Sequence, residues 1–263
     1  MDLGLRDKVA VVAAASKGLG RATAAELAAE GARLVICARG AGTLHATRDD
    51  IARQSGAEVH AVVADLSTMA GIGLVATEAL SRYGRVDILV NNAGGPPSGP
   101  FENHRWDEWD RAVQLTLRSA VELTRMLLPG MRERKWGRVL NVTSIAVKQP
   151  VDGLMLSNSV RAAVTGWART LATEVARDGV TVNCILPGYT RTERVEQLNA
   201  ERASREGIDV AEIQRRIEAQ IPMQRLGEPR EFGALAAFLV SERASYITAQ
   251  SIPVDGGWIR SLL

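Results

Sequence analysis

Short apolar runs recur along the chain. Each closes on small or polar residues, and each is followed by a longer stretch with helical spacing. The first run, Val9 to Ala14, reads VAVVAA without alternation, as a strand buried on both faces of a parallel sheet does. It passes through Ser16-Lys17-Gly18-Leu19-Gly20 into a helical stretch, Arg21 to Glu30, which Gly31 stops. A second apolar run, Arg33 to Ala38, completes a strand–turn–helix–strand unit. Further strands are expected at Glu58–Ala64, Val86–Val90, Arg138–Val142, Val180–Leu186 and Ser251–Val254. Helices are expected at Thr43–Gln54, Thr68–Tyr83, about Trp106 to Leu128, about Leu156 to Ala176 and Pro229–Val240, with a charged helical excursion at Glu193–Gln220. This alternation predicts an α/β fold: a Rossmann doubly wound parallel sheet of about seven strands with helices on both faces.

The places where strands end carry the chemistry. Ser16-Lys17-Gly18, Arg39, Asp65, Asn91-Asn92-Ala93-Gly94, Ser144 and Pro187-Gly188 all follow expected strands, while the strand interiors stay apolar. Ligands of such sheets bind outside the C-terminal strand ends, at the point where strand order reverses. The first turn sets backbone N–H groups at a helix N-terminus, which suits a pyrophosphate, and Gly18 and Gly20 would let the backbone approach it closely. The spacing lacks an earlier glycine, because Ala14 stands where one would be expected. An acidic residue about 20 positions after the turn would grip an NAD ribose. Ala38-Arg39 stands there instead, and a guanidinium pairs with a 2′-phosphate, so NADP(H) is favoured over NAD(H), with Lys17 as a second cation.

Composition narrows the class. The 263 residues show no composition break, which fits a single domain over residues 1–263. No run approaches the ~18 apolar residues of a membrane span. The opening MDLGLRDK is charged and has no apolar signal core, so a cytoplasmic location is expected. A net charge of +2 compels no nucleic-acid partner. Cys37 and Cys184 lie in apolar runs and read as buried thiols, and His45, His60 and His104 form no metal-ligand cluster.

Several segments together resemble the short-chain dehydrogenase/reductase family, in particular its 3-oxoacyl-carrier-protein reductase-like branch, over nearly the whole length. These are Asn91-Asn92-Ala93-Gly94, Asp65-Leu66, Asn141-Val142-Thr143-Ser144, Pro187-Gly188 through Thr192, Pro222 through Pro229, and Val254-Asp255-Gly256-Gly257. The resemblance implies a cofactor site formed by Ser16, Lys17, Gly18, Leu19, Gly20, Arg39, Asp65, Leu66, Asn92, Ala93, Gly94, Arg161, Pro187, Gly188 and Thr192. It also implies Ser144 as the catalytic serine and places the family's helix asparagine at Gln114.

Two departures stand out. The family's Thr-Gly pair in the first turn reads Ala13-Ala14. Its catalytic tyrosine and lysine, spaced Y-x-x-x-K, fall on Ser157 and Arg161, and no tyrosine occurs between Tyr83 and Tyr189. Ser157 and Arg161 still share a helix face at i, i+4. Arg161 can hold the nicotinamide ribose and lower nearby pKa values, but it cannot donate a proton at working pH. The proton would come from Ser157 through water, from Tyr189, or from solvent; Ser157 as a polar residue without a role and Tyr189 as a packing residue are the alternatives.

The resemblance makes residues 193–221 a mobile lid, with Val195, Leu198, Ile208, Val210, Ile213, Ile217 and Ile221 as its apolar face. It implies a small-molecule or acyl-thioester substrate and a homodimer or homotetramer. Arg132, Arg134, Lys135 and Arg138 form a basic cluster that could meet an acidic carrier protein or simply end a helix. Three functions compete: an NADP(H)-dependent carbonyl/alcohol oxidoreductase, a nucleotide-binding homologue without turnover, and a lyase or isomerase stabilising an oxyanion with Ser144, Ser157 and Arg161.

Overall fold

The computed structural model describes residues 2–262. Seven strands form one sheet: β1 (Val9–Val12), β2 (Arg33–Ala38), β3 (Val59–Val63), β4 (Ile88–Asn91), β5 (Gly137–Val142), β6 (Val180–Pro187) and β7 (Ser251–Val254). Their order is β3-β2-β1-β4-β5-β6-β7, and every pairing is parallel. The order reverses between β1 and β4, so a crevice opens there beyond the C-terminal strand ends.

The unalternated apolar runs are explained by two cores, one on each face. Val9, Val11 and Ala13 join one core; Ala10, Val12 and Ala15 join the other. On the second face pack α1 (Gly18–Ala29), α2 (Ala41–Ser55) and α9 (Pro229–Leu239), through Leu27, Leu44 and Phe232. On the first face pack α3 (Met69–Tyr83), α5 (Ser119–Glu133) and α6 (Met155–Val175), through Ile72, Leu123 and Ala172. No helix among the described residues is long and apolar enough to cross a membrane.

Two stretches differ from the sequence-based expectation. The long helix expected from Trp106 is α4 (Trp106–Ala112), a π-helical segment (Val113–Arg118) and then α5, which runs on through Pro129. In the π segment the Ser119 N–H reaches back to the Gln114 carbonyl, which turns the side chains that follow relative to a regular helix. The charged excursion is two helices, α7 (Glu193–Glu206) and α8 (Val210–Gln220), broken at Gly207 with φ +68°. Ile213, Ile217 and Ile221 are buried in the sheet core, but Val210, expected on that apolar face, is 43% exposed.

The basic cluster serves the fold. Arg132 and Lys135 both hold Asp178, at 2.7 Å each. Arg134 donates to the Val86 carbonyl at 2.6 Å, and Arg138 is buried against the Ser241 carbonyl. Arg132, Arg134 and Lys135 stay exposed at the end of α5, as a solvated helix end would, and only Arg138 is buried. Cys37 and Cys184 are buried free thiols, pushed up to about 12 and about 11 by desolvation.

Candidate active site

A cleft of about 820 Å³ runs along the C-terminal strand ends. This is within the range of cofactor and ligand sites. At one end lies the glycine turn. Ala13 donates to the Val90 carbonyl (3.1 Å) and Ala15 to the Cys37 carbonyl (3.1 Å), so both flanks of Ala14 are pinned to neighbouring strands. Ala14 itself is forced to φ +48°, a left-handed conformation that disfavours a side chain. The strain of the turn therefore falls on Ala14. Gly18, with φ +57°, and the backbone from Ser16 to Leu19 line the cleft at the start of α1.

Gly20, expected to approach a phosphate, does not line the cleft. A Cβ there would sit 2.3 Å from the Ala14 carbonyl oxygen and 2.9 Å from Asn92 Nδ2. Its role is close packing of α1 against the end of β1.

Arg39 is exposed at the cleft edge, and Asp65 feels its charge. Asp65 Oδ1 accepts from the Ser67 N–H (2.9 Å) and hydroxyl (2.8 Å), which hold its carboxyl below the usual range. Leu66, Asn92, Ala93, Gly94, Pro187, Gly188 and Thr192 complete the wall. Asn91 is buried behind it and donates to Thr124 Oγ1 (3.1 Å) and Asn141 Oδ1 (3.0 Å), tying β4 to β5 and α5. Thr192 is the N-cap of α7, accepting from the Val195 N–H at 3.4 Å. Lys17 forms an ion pair with Glu193, so the turn and the start of α7 meet across the cleft mouth.

The other end holds the residues aligned with the family's catalytic group. Arg161 is 8% exposed. Its Nη1 donates to the Val142 (2.9 Å) and Thr143 (3.0 Å) carbonyls, its Nη2 to the Ala93 carbonyl (3.5 Å), and its Nε to Ser157 Oγ (3.2 Å). The guanidinium thereby joins the ends of β4 and β5 to α6. Burial, and secondarily the charge of Arg194, pushes its pKa down to about 10, which leaves it cationic at neutral pH. Ser144 Oγ accepts from the Ala146 N–H at 3.1 Å and starts the 3₁₀ turn Ile145–Val147. Ser144, Ser157 and Arg161 all face the one cleft.

Gln114 is half-buried on the π segment and does not line the cleft; its neighbour Leu115 does. The structure thus does not bring Gln114 together with the two serines. Tyr189 lines the cleft and packs edge-on against Trp258, centroids 5.9 Å apart, and desolvation raises its pKa. Arg194 is a site residue that sequence reasoning missed, because it stands among many mixed charges on α7. Its Nη2 donates to the Pro96 carbonyl at 2.7 Å, and its guanidinium lies so near Gly95 that a Cβ there would be 3.0 Å from Nε. No group of His, Cys, Asp and Glu among the described residues could hold a metal ion.

Comparison with known proteins agrees with this architecture. The family model described as Enoyl-(Acyl carrier protein) reductase matches residues 13–259. The chain is similar to D-beta-hydroxybutyrate dehydrogenase of Cupriavidus necator, 36% identical over 264 residues, covering 97% of this chain and 99% of that one. It is also similar to a 3-oxoacyl-[acyl-carrier-protein] reductase of Vibrio cholerae, 32% identical over 255 residues, with 97% and 98% covered. Among solved structures, L-sorbose reductase from Gluconobacter frateurii complexed with NADPH and L-sorbose superposes with a TM-score of 0.94 at 35% identity, over 100% of both chains.

Proposed function

The chain belongs to the short-chain dehydrogenase/reductase family, a family of oxidoreductases, and from that premise we propose that it is an NADP(H)-dependent carbonyl reductase in which Ser157, beside the family's own serine Ser144, takes the place of the family's phenol. The observation that carries this reading is how the two hydroxyls are used. Ser157 Oγ accepts the Arg161 Nε–H, and Ser144 Oγ accepts the Ala146 N–H. Each oxygen has a lone pair taken by an N–H donor, which leaves its own O–H proton to be donated into the cleft. Two donors facing one cleft are what a carbonyl oxygen needs as it gains negative charge.

The cleft residues fit an NADP-type dinucleotide. The α1 N-terminus offers its first backbone N–H groups beside Ser16–Leu19, Gly20 keeps that helix close, and Arg39 stands exposed at the edge for a 2′-phosphate. Asp65 and Leu66 would flank the adenine. Asn92, Ala93, Gly94, Pro187, Gly188 and Thr192 would flank the ribose and carboxamide. When bound, the nicotinamide supplies the hydride. Ser144 and Ser157 would hold the substrate oxygen, and the Arg161 cation beneath Ser157 would lower the cost of the alkoxide that forms.

A serine hydroxyl is too weak an acid to give up its proton unaided, and Arg161 keeps its own. The proton that completes the alcohol therefore arrives from cleft water along Ser157. Tyr189, buried against Trp258 with its pKa raised, is assigned to packing rather than proton delivery. The substrate is a small-molecule ketone or an acyl thioester, in an assembly of two or four copies in the cytoplasm.

The test is to follow absorbance of the reduced nicotinamide with NADPH and a panel of ketones and acetoacetyl thioesters, and with the matching alcohols in reverse. Turnover on at least one carbonyl supports the reading. Tight NADPH binding with no turnover in either direction favours a nucleotide-binding homologue, which the carbonyl-bound Arg161 clamp would also suit.

A further inference from the structure

We propose that the cleft takes a carbonyl substrate bearing a carboxylate, and that Arg194 recognises it; this rests on the reductase reading above. Most arginines of the lid helices are matched to carboxylates: Arg202 to Glu206 at 2.6 Å, Arg215 to Glu212 at 2.7 Å and Arg216 to Glu212 at 2.9 Å. Arg194 differs from them. It is half-buried, it lines the cleft, and among the described residues no carboxylate lies within ion-pair distance of it. Its bonds go to neutral oxygens, Pro96 O and Gln197 Oε1 at 3.3 Å. Glu201 acts on it through its charge only, while its own oxygens accept from the Ser98 hydroxyl and the Gln197 amide, each at 2.7 Å.

Arg161 is in the same position. All its partners are neutral oxygens, and the charge of Arg194 is close enough to oppose its own. Two guanidiniums thus front one cleft, and among the described residues neither is ion-paired to a carboxylate. Desolvated cations in this state are costly, and an anion entering the cleft relieves both. A guanidinium carries five N–H donors in a planar fork that matches a carboxylate. Arg194 uses Nη1 and Nη2 once each, which leaves the Nε–H and further Nη protons for a ligand.

The placement separates this site from the phosphate end. Glu193 turns to Lys17 at the glycine turn, whereas Arg194 leans on Gly95–Pro96 and acts on Arg161. Gly95 admits the flat guanidinium because it has no Cβ. The dinucleotide pyrophosphate is the other oxyanion that Arg194 could meet, and the experiment separates the two.

In the wild-type protein with saturating NADPH, kcat/KM would be measured for short α-, β- and γ-oxo acids and for their methyl esters. At least one acid should exceed its ester by about 10–100-fold, the range of a charge-assisted hydrogen bond. Arg194→Met should abolish that preference while NADPH affinity changes less than about threefold, and Arg194→Lys should restore part of it. Esters matching acids throughout, or an NADPH affinity that falls as far as the acid preference, overturns the proposal. If Arg194→Met does not fold, the wild-type ratio and Arg194→Lys decide. If no carbonyl is turned over, the reductase reading fails. Calorimetric titration of the NADP+-saturated protein with each acid and ester then still decides: tighter binding of an acid supports the anion site, and equal binding refutes it.

Discussion

Replacing Ala14 with glycine should stabilise the protein. Ala14 holds φ +48° between two residues whose N–H groups are fixed to Val90 and Cys37, so the turn cannot relax without breaking a sheet contact. An L-residue in the left-handed region costs roughly 1–2 kcal/mol. Glycine removes that cost but adds roughly 0.5–1 kcal/mol of unfolded-chain freedom. Taken at their midpoints these leave a net gain of about 0.7 kcal/mol, which for a chain of this size raises Tm by roughly 1–3 °C. Differential scanning calorimetry on Ala14→Gly and wild type reads this directly, with Gly20→Ala as the opposing control. In that control a Cβ 2.3 Å from the Ala14 carbonyl oxygen must push α1 away, and Tm should fall. An unchanged or lower Tm for Ala14→Gly would mean that the left-handed residue carries no strain and that the turn is held by something other than its pinned neighbours.

Three further outcomes are expected. Arg39→Asp should weaken NADPH binding by tenfold or more and NADH binding far less, because only one of them carries the phosphate that the guanidinium would pair with; equal losses in fluorescence titrations would remove Arg39 from the site. Arg161→Met should lower stability by about 2–5 kcal/mol in urea unfolding, since the Val142, Thr143 and Ala93 carbonyls lose their donor together; a loss under about 1 kcal/mol would contradict the clamp. Glu231 is held down to about 2 by the Arg225 guanidinium and the Glu228 N–H, against an ordinary value of 4.5. Because the folded value is depressed, its stabilisation is present above about 4.5 and is lost as pH falls toward 2. Glu231→Gln should therefore melt below wild type at neutral pH and converge with it in acid, and a gap that persists at low pH would contradict this.

The order of elements was legible because strands buried on both faces cannot alternate, so the apolar runs stood out against helical spacing. Most of the cleft wall was legible too, since small and polar residues collect at the strand ends that line it. What stayed hidden depended on contacts between distant segments. Gly20 read as a phosphate contact, but the Ala14 carbonyl, brought over it by the turn, makes it a packing glycine. Gln114 aligned with the family's asparagine, yet the π segment presents Leu115 to the cleft instead. Arg132, Arg134, Lys135 and Arg138 looked like one basic patch, and the partners that absorb them lie up to about 100 residues away in sequence, at Asp178 and Ser241. Arg194 could not be told from its charged neighbours without the loop at Gly95 that half buries it.

The direct measurement of the central claim is kcat/KM for ketone reduction by Ser157→Ala, with NADPH affinity determined alongside. Loss of one donor to the developing oxyanion should lower kcat/KM by about 10²-fold or more, leave nucleotide binding within about threefold, and be matched by Ser144→Ala. Turnover by Ser157→Ala equal to wild type would contradict the assignment of these hydroxyls to the substrate oxygen.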